Sequence, residues 1–236
     1  MIKIVYFLLI FPLGLYSQYH YNDFSFKPTI PLIGSGSGLL IGGNIISKSI
    51  KPLTVDEISR LSRLQLDGLD RTATYNYDPS AKKISDVLML GAIAIPTITL
   101  INKDAREHID KMALLTAETY LLTIGTTFLT KNLIKRTRPY VYNELVPLSE
   151  KVKKDARMSF FSGHTSFTAT TTFFTASMLQ QNPDNKALMP YVWTSAALVP
   201  AITGIMRWKA GKHFPTDIFI GYVVGMGIGI LVPKLH

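Results

Sequence analysis

Cysteine is absent from the 236 residues. That excludes disulfides, thiolate catalysis, cysteine-ligated zinc and a bacterial lipoprotein anchor. Charge is scarce: Asp, Glu, Lys and Arg make up 17% of the chain, against roughly 25% in an average soluble domain. Acid is the scarcer sign, with 16 Asp and Glu beside 25 Lys and Arg and a net charge of +9. No repeat or low-complexity tract stands out, and no nucleic-acid-binding motif accompanies the basic excess. A nucleic-acid partner is therefore not expected.

What is present is apolar. Hydrophobic residues make up 47% of the chain, a length and composition that fit one domain or a small polytopic membrane protein. The basic excess is concentrated, with eight Lys or Arg between Lys131 and Arg157. Such a cluster points to phosphate handling.

Residues 1–17 carry Lys3, an apolar run from Ile4 to Leu15, and Ser17 before Gln18. This reads as a signal peptide or signal anchor that exports the following chain. Residues 18–85 form an exported region with no assigned role, and the functional domain runs from 86 to 236. The glycine-rich stretch Gly34–Gly43 lacks the Gly-Lys-Ser/Thr of a phosphate loop, so it reads as close helix packing. Thr54 and Glu57 predict a capping box opening a helix to about Leu69, with Ile58, Leu61, Leu64 and Leu69 as its apolar stripe. Five apolar segments follow: Val87–Ile101, Met112–Thr130, Phe167–Leu179, Tyr191–Met206 and Ile218–Val232. At about 1.5 Å per residue they span roughly 20–29 Å, which suits short membrane spans or the buried helices of a soluble bundle. Within the second, Glu118 needs a partner if it lies in lipid.

Three polar clusters sit at the ends of those segments. In the first, Lys131 and Arg138 are seven apart, on one helical face, and Pro139 places Arg138 at the helix end. Two cations there make a clamp for a dianion, although by itself the segment reads first as a solvated basic helix end. The second is Phe161-Ser162-Gly163-His164. Ser162 can cap the next helix, whose free N–H groups suit phosphate oxygens, and His164 can protonate a leaving oxygen. The third runs from Arg207 to Asp217. There a carboxylate lies one helical turn from His213, and Pro215 is tolerated in the first turn. Such a carboxylate holds one ring nitrogen protonated and leaves the other free to attack. Alone, each of the last two is a plain helix cap or a structural pair.

Together they resemble the type 2 phosphatidic acid phosphatase (PAP2) superfamily, which also contains bacterial acid phosphatases and vanadium haloperoxidases. Its signature is Lys-x6-Arg-Pro, then Pro-Ser-Gly-His, then Ser-Arg-x5-His-x3-Asp. Lys131, Arg138, Pro139, Ser162, Gly163, His164, Arg207, His213 and Asp217 match it, while Phe161 replaces the proline and Met206 the serine. The second change removes a hydroxyl beside Arg207.

The resemblance implies an all-α helical bundle, polytopic with about five spanning helices. It also implies a phosphatase that needs no metal or cofactor. Its catalytic residues would be His213 as nucleophile, His164 as acid and base, and Asp217 to orient His213. Lys131, Arg138, Arg207, Ser162 and Gly163 would bind the phosphoryl group. The expected substrate is a phosphorylated lipid, and the expected place is a bacterial inner membrane with a periplasm-facing site and Leu32–Ile50 peripheral. A soluble periplasmic acid phosphatase is the alternative, and a haloperoxidase, usually a much larger protein, ranks below it.

Overall fold

Local chemistry sets where the helices start. Asp78 accepts hydrogen bonds from the N–H groups of Ser80 (2.8 Å) and Ala81 (3.1 Å) around Pro79, and the Ser162 hydroxyl oxygen accepts from Thr165 N–H (3.4 Å). Pro215 takes a first-turn position where no N–H is needed. The computed structural model describes residues 24–236, and the signal segment expected at 1–17 lies outside them. All regular structure among the described residues is helical. Six long helices carry the fold: α1 (Thr29–Lys48), α2 (Pro79–Ala92), α3 (Ile109–Ile134), α4 (Gly163–Leu179), α5 (Met189–Lys209) and α6 (Pro215–Leu235). The expected all-α bundle is what forms.

Small residues let these helices approach closely. Along α6, Gly221 faces Ser162, Gly225 faces Ser166 and Gly229 faces Thr170, so α6 and α4 run parallel. A Cβ on Gly225 would sit 2.1 Å from the Ser166 carbonyl oxygen. Likewise Gly36 and Gly43 of α1 pack on Leu121 and Phe128 of α3, again in parallel. Gly34–Gly43 thus serves helix packing, as its sequence indicated.

Helix α4 is the axis of the bundle, buried almost throughout from Thr165 to Leu179. Its threonines satisfy themselves and tie the neighbours. Thr172 donates to the carbonyl of Thr168 (2.9 Å) and lies equally close to that of Ala196 on α5, and Thr170 contacts Thr123 of α3 (3.0 Å). Glu118, buried in α3, meets Nε2 of His236 at 2.8 Å, the partner its position demanded.

Five helical stretches are long and apolar enough to cross a membrane: 29–48, 79–101, 109–142, 189–209 and 215–235. Each turns most of its residues outward, as lipid-facing helices do, and the chain is built as a membrane protein. Five helices face outward, and one expected placement differs. The span expected at Phe167–Leu179 runs through the bundle as its enclosed axis, while Leu32–Ile50, expected to be peripheral, supplies the outward-facing α1. The peripheral expectation followed from an exported residue 18 with an outward site; by its own composition α1 is apolar enough to cross, while α4 buries hydroxyls rather than exposing carbon.

Helices α1, α3 and α5 end on one face of the bundle, where α2, α4 and α6 begin. Residues 49–78 cap that face. The capping box at Thr54 and Glu57 forms, but its helix stops at Ser59 rather than near Leu69. Ser62 there accepts from Leu64 N–H and opens a new turn. Of the expected stripe, Ile58 and Leu61 pack on Tyr140, Val141 and Val146, while Leu64 and Leu69 are exposed. On the opposite face Phe24 stacks on His236.

Candidate active site

The three motif clusters meet on the capped face. Lys131 lies in the last turn of α3 and donates from Nζ to the carbonyl of Met158 (2.7 Å). Arg138 is not on that helix, contrary to the expected shared face. The helix ends at Ile134 with Lys135 left-handed at φ 51°, which turns the chain back so that Arg138 N–H bonds Ala156 (2.8 Å). Its guanidinium reaches the Lys212 carbonyl (2.9 Å), the Asp155 carboxylate (2.8 Å) and His213 Nε2 (3.2 Å). Burial alone would raise the Asp155 carboxyl, but Arg138 and Lys212 beside it win and hold it low. Burial and Arg138 bring the Lys212 ammonium down to about 8.

His213 is fully enclosed, at 1% exposure, just before α6. Burial first, then the cations Lys131, Arg138 and Arg207 and the nearby His164, hold its ring well below the usual imidazole range. The imidazole therefore stays neutral, with an unprotonated nitrogen to offer. Nδ1 faces Oδ2 of Asp217 at 3.7 Å, too long for the hydrogen bond expected one turn away.

Asp217 itself is tightly held. Its carboxylate accepts from the Ser159 hydroxyl (2.5 Å), from Phe214 N–H (3.0 Å) and from Arg136. Arg136 also donates to Asp70 (2.6 Å), which in turn accepts from Thr216 N–H (3.1 Å) and its hydroxyl (2.7 Å). The sequence reading missed this chain. Arg136 was visible only as one more cation in a basic run, and Asp70 as an isolated acid in a polar stretch.

At the start of α4, the N–H of Ser162 is taken by the carbonyl of Asp217 (3.0 Å). The Gly163 and His164 N–H groups make no bond to the described protein, so they are the donors left for an anion. Gly163 is needed for space, since a Cβ there would lie 3.0 Å from Thr127. His164 Nε2 meets Asp86 of α2 at 2.8 Å, and Asp86 also accepts from Arg207 at 3.1 Å. The hydroxyl that Met206 cannot offer comes from Ser85, 3.2 Å from Arg207. Neither Ser85 nor Asp86 carried a signal in the sequence. The Lys151–Lys154 run, by contrast, is not a free basic patch: Lys153 pairs with Glu150 and Lys154 grips Ser47.

Below the site lies a cavity of about 370 Å³. Lys131 and His164 line it beside Ile93, Ile124, Phe128 and Phe167. Among the described residues no group of three or more His, Asp or Glu is placed to hold a metal ion.

Comparison with known proteins adds the following. The family described as "PAP2 superfamily" matches residues 112–236. Over 96 residues the chain is 29% identical to phospholipid phosphatase 1 of Rattus norvegicus and 28% identical to that of Mus musculus. Each match covers 39% of this chain and 34% of the relative, so the chain spans about a third of the length of these curated relatives. Among solved structures, that of the first transmembrane PAP2 type phosphatidylglycerolphosphate phosphatase from Bacillus subtilis aligns over 85% of this chain and 95% of its own. Its TM-score is 0.48 and its identity 20%.

Proposed function

Since this chain belongs to the PAP2 superfamily, we propose that it hydrolyses the phosphate esters or diphosphates of membrane lipids through a phosphohistidine on His213. Nε2 attacks phosphorus in line, with Nδ1–H turned toward Asp217. Lys131, Arg138, Arg207 and the first-turn N–H groups of α4 stabilise the charge on the phosphoryl oxygens, the work a metal does elsewhere. His164 protonates the leaving oxygen and then activates water.

The observation that carries the lipid assignment is the cavity. It joins Lys131 and His164 to apolar side chains of α2, α3 and α4, beside helices that face lipid. A tail can lie there while the phosphate sits at headgroup level. The expected result is a kcat/KM much higher for a long-chain phosphate ester than for its short-chain counterpart, measured in mixed micelles with EDTA present. Equal values would overturn the lipid assignment in favour of a general acid phosphatase. Loss of activity in EDTA, restored by magnesium, would overturn the metal-free reading.

We place the site on the outer, periplasmic side of a bacterial inner membrane. With α1 crossing, this orientation puts Phe24 and His236 on the cytoplasmic side. Export of residue 18 by a cleaved signal and an outward site then exclude one another, and we keep the outward site. Many of the basic residues on that face, including Arg136, Arg138, Lys154 and Arg157, are bound to protein partners. They are thus less at odds with the tendency of free Lys and Arg to stay inside. The cysteine-free background makes the test direct. A membrane-impermeant maleimide should label Glu144→Cys in intact cells, and Asp184→Cys only after permeabilisation. The reverse pattern would put the site in the cytoplasm and leave the chemistry untouched.

A further inference from the structure

Asp86 stands on α2, before the stretch that matches the family, and no motif contains it. We propose that Asp86 is the positioning residue of His164: by accepting the Nε2 proton it makes Nδ1 the nitrogen that gives and takes the proton in catalysis. The inference rests on the phosphohistidine reading above.

The geometry is specific. Asp86 Oδ1 lies 2.8 Å from His164 Nε2. The same oxygen accepts from Arg207 Nη1 at 3.1 Å, and Arg207 is itself held by the Ser85 hydroxyl at 3.2 Å. Oδ1 is thus shared between His164 and Arg207, and Arg207 Nη1 lies 3.5 Å from His164 Nε2, so the guanidinium fixes that oxygen beside the ring. His164 Nδ1 has no partner among the described residues, and the ring borders the cavity. Which nitrogen of a histidine carries the proton is set by the bond the other one makes; here Asp86 leaves Nδ1 open.

Charge gives Asp86 a second task. Burial first, and then Arg207 from α5 and Arg138 from the loop after α3, disfavour an imidazolium at His164. Asp86 is the acid that opposes them and so favours the proton that the first step consumes. In that step the bond from His213 to phosphorus forms, the bond from phosphorus to the leaving oxygen breaks, and that oxygen takes the Nδ1 proton. In the second, a water oxygen bonds to phosphorus, its proton goes to Nδ1, and the bond to His213 breaks. The Nε2 proton stays on Asp86's side throughout. Each site histidine thus has its own carboxylate, Asp217 for the nucleophile and Asp86 for the acid and base.

The test uses the full chain in detergent, with Asp86→Asn and two substrates differing in leaving group. With a long-chain alkyl phosphate, whose leaving oxygen needs a proton, kcat should fall by about 10- to 100-fold, within the range of general acid catalysis. With p-nitrophenyl phosphate the leaving oxygen needs none. A burst of about one nitrophenol per enzyme should therefore precede slow turnover, because water attack still needs the base. Asp86→Glu, which keeps the carboxylate, should recover part of the alkyl rate. Asp86→Asn combined with His164→Ala should be no slower than His164→Ala alone, since Asp86 acts through that ring. Additive losses, or an equal slowing of both substrates with a raised KM, would overturn the proposal and assign Asp86 to the grip of Arg207 on phosphate. Wild-type turnover by His164→Ala would instead sink the acid–base reading on which it rests.

Discussion

His213→Ala is expected to lower phosphate release by about 10⁴-fold or more, the scale on which removal of a nucleophile acts. This corresponds to about 5.5 kcal/mol of lost transition-state stabilisation. No other side chain replaces it: the ring is fully buried, faces Asp217, and stands among Lys131, Arg138 and Arg207. Wild-type enzyme given labelled substrate and denatured in alkaline detergent should carry one label, stable in alkali and lost in acid, and His213→Ala should carry none. His213→Asn, which keeps a polar group in the pocket, separates lost chemistry from lost folding and should be equally inactive. Wild-type-level phosphate release from either variant would overturn the nucleophile assignment. The pH dependence has a sign as well. Burial and the surrounding cations keep the His213 ring neutral well below the usual imidazole range. Its protonation should therefore not limit kcat/KM in mildly acidic solution.

Arg136→Ala should damage both fold and turnover. Arg136 lies between Asp70 and Asp217, whose side chains are 4% and 0% exposed. Removing the cation strands two buried carboxylates that its guanidinium now joins. Breaking a buried pair in this way costs about 3–5 kcal/mol, because the remaining charge is desolvated and unpaired. The guanidinium also stacks on Phe214 at 4.1 Å, so packing next to His213 is lost too. Asp217 would lose one of its three anchors and shift relative to the imidazole. A displacement of about 1 Å at a reacting centre is worth roughly 100-fold in rate. Denaturation in detergent and steady-state kinetics measure the two losses separately. The double variant Asp70→Asn with Arg136→Met removes one of the stranded charges and should recover part of the stability but not turnover. Unchanged stability in Arg136→Ala would show that the two carboxylates do not depend on it.

The carboxylates were the least legible part of the site. Asp217 could be read because it lies one turn from His213, within the reach of a single helix start. Asp70 and Asp86 could not, since their partners Arg136 and His164 are 66 and 78 positions away. A lone acid in a polar stretch carries no periodicity and no spacing. Arg138 was read as a site residue but on the wrong element: Pro139 rightly signalled a helix end, yet the left-handed Lys135 ends it four residues before Pro139. Residues 49–78 offered a capping box and a short apolar stripe but no long-range signal, so their place over the motif face was invisible.

The sequence by itself determined where the motif residues stand, because they are bound to helix ends. Ser162, Gly163 and His164 start α4, while His213, Pro215 and Asp217 start α6, and local capping rules place them whatever the rest of the chain does. It also determined that the fold is an apolar helical bundle, since the runs from Met112 to Val232 admit little else. Which helices face lipid was decided only in three dimensions. Hydropathy reports how apolar a segment is and not what lies against it, so threonine-rich α4 became the core and glycine-rich α1 a lipid-facing member. The tertiary structure likewise chose the partners of each charge, because a buried ion must find its counterion in space, at whatever distance along the chain that counterion happens to lie.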